Sequence, residues 1–301
     1  DLFFSVYFFL YNLFIVFFDL FIIILFIIVF IGVGFFFSQN IKSSSDYFRG
    51  DGKTPWVVAM FSIVATETSV LTFAGIPALS YNQGWWFLQL VLGYIIGRTL
   101  VSFYLLPKYF SSDIVSIYEV IGNYFGKTIQ KFSSLVFLFT RLMADGIRFL
   151  LTAILLDVLT QWGIVDCVLV IGLVTLLYSS IGGIKSILWV DSIQFVIYLG
   201  GGLISILFLC VFLEPSISSD QFISVFKTNL STIFVFEGSL ITNSTLFFSG
   251  IIGGTLLSFS SHGVDYMMVQ RVLSLKSLSS AKKAMIGSGF LALLQFSIFL
   301  L

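Results

Sequence analysis

The sequence predicts an all-α, multi-pass membrane protein on three observations. The 301 residues are 58% hydrophobic and only 10% charged, with a mean hydropathy of +1.07, whereas soluble domains average about 25% charged. Apolar runs long enough to cross a bilayer follow one another along the chain, each bounded by a little charge. Lys and Arg fall almost wholly into alternate connections between those runs. A transmembrane barrel would instead alternate apolar and polar residues over segments of ~10 residues, and that pattern is absent.

Eight spans are placed at roughly 17–37, 55–80, 84–106, 128–159, 163–181, 186–212, 244–271 and 284–301. The apolar stretch 1–16 ahead of the first is left unassigned, since 36 near-continuous apolar residues exceed one span and the missing basic n-region argues against a signal peptide. Alternating the spans puts Lys42, Arg49, Lys53, Lys108, Lys127, Lys131, Lys185, Arg271, Lys276, Lys282 and Lys283 on one side and only Lys227 on the other. Basic residues favour the cytoplasmic face, so the amino terminus is expected outside a plasma membrane and 213–243 becomes an external loop with sequons at Asn229 and Asn243. Net charge is zero, so the total says nothing about nucleic acid, and no nucleic-acid partner is expected. Cys167 and Cys210 have no metal spacing and read as small packing residues. No nucleophile elbow, zinc or phosphate-loop motif is present, so enzyme chemistry is not expected. Gly93 and Gly97 form a GxxxG pair, and Gly253–Gly254 recur in a later span as packing devices.

Function is sought where polar residues stand inside the apolar spans. In "SIVATETSVLTFAGIPALSY" an acid, Glu67, lies halfway along 55–80 among Thr66, Thr68 and Ser69. Gly75 and Pro77 weaken the same span, so a break in the helix is expected there, exposing carbonyl oxygens suited to an alkali cation. A Ser/Thr-rich helix that only packs is the alternative. In "TRLMADGIRF", Arg141, Asp145 and Arg148 share one helical face and read as a self-neutralising ion ladder or as contacts to an anionic substrate. "SFSSHGVDYMMVQR" is a second interruption, where Ser261, His262 and Asp265 are candidates for substrate binding and His262 is either a satisfied buried imidazole or a proton relay. Thr72 and Gln89 join the substrate candidates, and Asp191 in "ILWVDSIQ" is either wetted at the membrane face or marks an ion exit path. Interrupted spans at the starts of 55–212 and of 244–301 are the pattern of two inverted repeats.

Three blocks, "SSSDYFRGDGKTPWVVAMFSIVATETSVLTF", "LLYSSIGGIKSILWVDSIQFVIYLGGG" and "SHGVDYMMVQRVLSLKSLSSAKKA", together resemble the sodium:solute symporter family. The resemblance implies a LeuT-like five-plus-five inverted repeat preceded by one extra N-terminal helix, incomplete here because the eighth core helix would lie beyond Leu301. It implies sodium held by the carbonyls of Ala65 and Thr68, substrate contacts at Thr66, Glu67 and Ser69, and a link between Asp191 and sodium release. The partners implied are sodium as coupling ion, a small polar solute and the lipid bilayer, with no cofactor. Sugar carriers of the family place a Glu–Gln pair where this chain has Leu71 and Thr72, and an aromatic gate where it has Ser261 and His262. An amino acid or carboxylate is therefore expected over a sugar, and this polypeptide alone is not expected to perform coupled transport. A sensor module, fused for example to a histidine kinase, is the alternative function.

Overall fold

The computed structural model describes residues 2–38, 43–111, 117–213, 219–239, 243 and 245–301. Helices carry nearly all of them. In chain order they are α1 (Leu2–Ser38), α2 (Ser44–Arg49), α3 (Trp56–Glu67), α4 (Val70–Gln83), α5 (Phe87–Leu100), α6 (Leu106–Ser111), α7 (Ile117–Phe125), α8 (Lys127–Thr160), α9 (Ile164–Leu213), α10 (Ser219–Ser231), α11 (Phe247–Gly263), α12 (Tyr266–Leu273) and α13 (Leu278–Leu300). One π-helical turn, Val101–Leu105, joins α5 to α6.

Phe18–Phe37, Phe87–Ser111, Gly182–Phe212 and Leu278–Leu300 are each long and apolar enough to cross a membrane, and two bent helix pairs bring the number to six. The expected eight differ from this at two places. Segments 128–159 and 163–181 belong to helices that meet at 115° across residues 161–163, with Gln161 in a left-handed conformation. Span 244–271 is divided into α11, 17 residues long, and the short α12. Spans 163–181 and 186–212 are two helices, both within α9, separated at Gly183, whose φ of 58° and ψ of −165° suit glycine alone. The unassigned 1–16 is helical from Leu2 and continuous with the first span. The stretch read as an external loop contains α10.

Burial runs opposite to a soluble protein's. Many leucine, valine and phenylalanine side chains of α8, α9 and α1 from Phe18 onward are exposed, as lipid contact requires, while Arg98, Gln89 and Gln295 are wholly buried. Cys167 is buried as expected, whereas Cys210 is exposed.

The two small-residue motifs meet each other. A Cβ at Gly93 or Gly97 of α5 would collide with the α11 backbone at Ile251 or Thr255, and one at Gly254 with the carbonyl of Leu90. The glycines thus let α5 and α11 touch main chain to main chain within one molecule. Connections sort into two ends. Gly52 bridges to Leu275 and Lys185 pairs with Asp51 at 2.9 Å, so the stretches holding Lys53, Lys185 and Lys276 lie together. At the other end Thr232 bonds the amide of Trp85 at 2.7 Å, beside the turn at Gly84.

Candidate functional site

The expected break lies at Thr68 and Ser69. Both are extended, with ψ of 130° and 174°, and α3 and α4 diverge by 68°. Serine and threonine favour this because their hydroxyls bond nearby backbone and cap the severed ends. Thr68 Oγ1 donates to the Val64 carbonyl at 2.8 Å, and Ser69 and Thr72 form a capping box that restarts α4. Gly75 and Pro77, expected to weaken the span, lie inside the continuous α4 and do not make the break. A helix end leaves its last carbonyls without intrahelical partners; here those of Val64 and Ala65 accept the amide of Thr68 at 3.2 and 3.0 Å.

The second interruption is at Val264 and Asp265. Asp265 caps α12 by accepting the Met267 amide on Oδ1 at 2.8 Å, and its other oxygen meets Arg141 at 3.3 Å. Arg141 also bonds Asp145 at 2.8 Å, and Arg148 approaches Asp145 at 3.6 Å, an ion-pair but not a hydrogen-bond distance. The ladder on α8 therefore exists as expected, and it reaches across to the second break.

Glu67 at the end of α3 faces protein. Its two oxygens meet Arg98 Nη2 at 2.5 and 2.6 Å, and Oε1 lies 2.7 Å from His262 Nε2. Arg98 Nη1 donates to Ser288 of α13 at 2.7 Å. One carboxylate thus ties α3, α5, α11 and α13 together. Arg98 was not singled out by sequence reasoning, although an arginine inside the apolar run 84–106 is the kind of signal that marks a buried partner.

Between the breaks lies a cavity of about 460 Å³, within the range of small-molecule sites. Thr66, Glu67, Thr72, Ser261, His262 and Asp265 line it, with Arg141 and Arg148. Six of the eight expected substrate residues are thus brought together. Ser69 is instead a helix cap. Gln89 donates to the carbonyls of Ile233 at 2.8 Å and Thr245 at 2.9 Å, fastening the expected external segment to α5. Asp191 binds Ser62 at 2.6 Å and Arg271 at 3.0 Å and is part-buried, which leaves both readings of it, wetted or on an ion path, open to test, while Arg271, counted among the loop cations, is buried.

The "Sodium:solute symporter family" profile matches residues 47–301. The sodium/sialic acid symporter of Proteus mirabilis is 31% identical over 62% of this chain and 38% of its own length. Human sodium-coupled monocarboxylate transporter 2 is 26% identical over 84% of the chain and 41% of its own. The human sodium/iodide cotransporter is 25% identical over 81% and 38%. Among solved structures, a substrate-bound, outward-open Na⁺-coupled sialic acid symporter superposes with a TM-score of 0.83 at 25% identity, covering 96% of this chain and 59% of that one. The matches to these three curated relatives thus span about two fifths of the relatives' length. The fold is the all-α, LeuT-like one that the resemblance implied. The chain belongs to the sodium:solute symporter family.

Proposed function

We propose that this member of the sodium:solute symporter family supplies the solute cavity and the Ala65 and Thr68 carbonyls of the sodium site in a carrier that moves a small anionic solute with sodium. The observation that supports it is the juxtaposition of the Thr68–Ser69 break with a cavity walled by Arg141 and Arg148. Around the cavity three guanidinium groups, Arg98, Arg141 and Arg148, stand against three carboxylates, Glu67, Asp145 and Asp265. The site is balanced when empty. An anion that displaces Arg148 from its loose contact with Asp145 introduces one negative charge, and one sodium ion at the break restores the balance. Each ligand then favours the other by a reciprocal free energy, which is coupling.

Three of the relatives named above move sialic acid, monocarboxylates and iodide, all anions at neutral pH. The cavity is larger than a monatomic ion needs, which favours an organic acid. These carriers also support symport over the sensor reading. The clustering of Lys53, Lys185 and Lys276 at one end supports a plasma-membrane orientation with those residues inside and the amino terminus outside.

Uptake of radiolabelled carboxylates by cells expressing the encoding gene tests the proposal. An inward sodium gradient should raise initial uptake over choline medium at least tenfold, and Arg148→Gln should abolish it. Saturable uptake indifferent to sodium would refute coupling.

A further inference from the structure

Glu67, His262 and Ser261 form a chain of hydrogen bonds whose directions are set one after another from a single fixed charge. Arg98 cannot lose its proton at any accessible pH, and its Nη2 reaches both Glu67 oxygens, so the carboxylate is ionised and can only accept. His262 Nε2, 2.7 Å from that carboxylate, must carry a proton. A second proton on the ring would place another cation beside Arg98, which Glu67 already neutralises, in a site where His262 is buried. The ring is therefore neutral and Nδ1 bears a lone pair.

That lone pair needs a donor, and Ser261 Oγ, at 2.9 Å, is the nearest. Ser258 cannot serve, because its hydroxyl donates to the Tyr94 carbonyl at 3.2 Å, and its own carbonyl, 3.2 Å from Nδ1, would take a proton only from the imidazolium that burial beside Arg98 opposes. The other acceptor within reach of the Ser261 hydroxyl, the Ser258 carbonyl, is 3.5 Å away against 2.9 Å for Nδ1, so Ser261 gives its one proton to the ring and keeps its lone pairs for the cavity that it lines. The ionisable groups around the ring are Glu67 on α3, Tyr94 and Arg98 on α5, Arg141 and Arg148 on α8, and Asp265 beyond α11; none offers Nδ1 a competing proton in the bonds observed.

We infer that the Arg98–Glu67–His262 relay makes Ser261 a specificity-determining acceptor, and that the transported acid carries a hydrogen-bond donor, a hydroxyl, ammonium or amide N–H, besides its anionic group. The inference rests on the anionic reading above and refines it from a bare carboxylate to a hydroxy or amino acid class.

Two measurements separate the inference from that reading. The first is binding of three matched acids to the purified gene product in sodium: lactate, 2-methoxypropionate, which has the oxygen but no donor, and propionate. Lactate should bind about tenfold more tightly than either analogue. Ser261→Ala should remove that preference, bringing the three acids to within about twofold of one another. Equal binding of all three would overturn the inference and leave the anionic reading standing. The second is nitrogen NMR of histidine-labelled protein, with His262→Asn identifying the His262 signals; His262 is the sole histidine of this chain. A protonated Nε2 beside an unprotonated Nδ1 is expected. Imidazolium or the opposite tautomer would free the Ser261 proton for the cavity and overturn the inference. If no acid binds while the spectrum shows the expected tautomer, the polarity of Ser261 stands and the anionic reading falls.

Discussion

At the first interruption the chain leaves α3 through Thr68 and restarts with the neutral hydroxyls of Ser69 and Thr72; at the second it leaves α11 through Val264 and restarts with the carboxylate of Asp265. Hydroxyls cap a helix without bringing charge, so carbonyls at the first break face no fixed ion of their own cap. The acidic cap of the second needs a counter-charge, and Arg141 of α8 provides it. The two breaks therefore differ in charge: neutral backbone and hydroxyl oxygens at the first, a network of side-chain charges at the second. Glu67 and His262 join them across 2.7 Å.

Removing the charge that anchors the join should have the largest effect. Arg98→Met leaves Glu67 buried with its main partner gone and should cost about 3–5 kcal/mol, read as thermal unfolding in detergent. Arg98→Met with Glu67→Leu should recover most of that loss, because an apolar pair of similar volume replaces a buried ion pair at little cost. Next comes the acidic cap: Asp265→Ala should destabilise by about 2 kcal/mol, since it removes the cap and one of the two carboxylates on Arg141. Asp265→Asn, which can still cap, should lose less in stability. Ser69→Ala should cost about 1 kcal/mol. If it matches Asp265→Ala, the contrast between neutral and charged caps is wrong.

The smallest effect lies at the pair formed by Asp51, ahead of α3, and Lys185, just after the kink of α9. Burial alone would raise the Asp51 carboxyl, but Lys185 Nζ at 2.9 Å and the Lys53 amide at 3.1 Å outweigh it and hold the group below its ordinary 3.8. The folded value lies below the unfolded one, so the contribution is fully present above pH 3.8 and fades as pH falls through the folded value. At this half-open site it is less than about 0.5 kcal/mol. Lys185→Gln should abolish that acid-side slope in a pH series of melting temperatures while leaving neutral stability almost unchanged.

The fold was legible from chemistry that depends on depth alone. Apolar length located spans, and the run Thr66–Ser69 located the first break, because hydroxyls beside an acid in an apolar helix have few other uses. Gly75 and Pro77 misled because helix breakers in lipid are tolerated where packing satisfies the backbone. Partnerships were not legible. Glu67 could be seen to need a cation, but Arg98, 31 positions on, is chosen by the crossing of α3 and α5, which spacing does not encode. Arg271 was misread for the same reason: counted by charge it belongs to a loop, yet Asp191 and Ser62 draw it into the interior. Gln89 looked like a solute contact because a buried amide and a ligand-binding amide have the same sequence signature.

Because α5 and α11 meet main chain to main chain at Gly93, Gly97 and Gly254, and the hydroxyls of Thr255 and Ser258 bond the carbonyls of Gly93 and Tyr94, sliding one past the other would break those contacts. They act as a single strut, and the latch from Glu67 to His262 fastens α3 to it. The cavity's other wall is built differently: α8 meets it with Arg141 and Arg148, long side chains with rotamer freedom that bare main chain lacks.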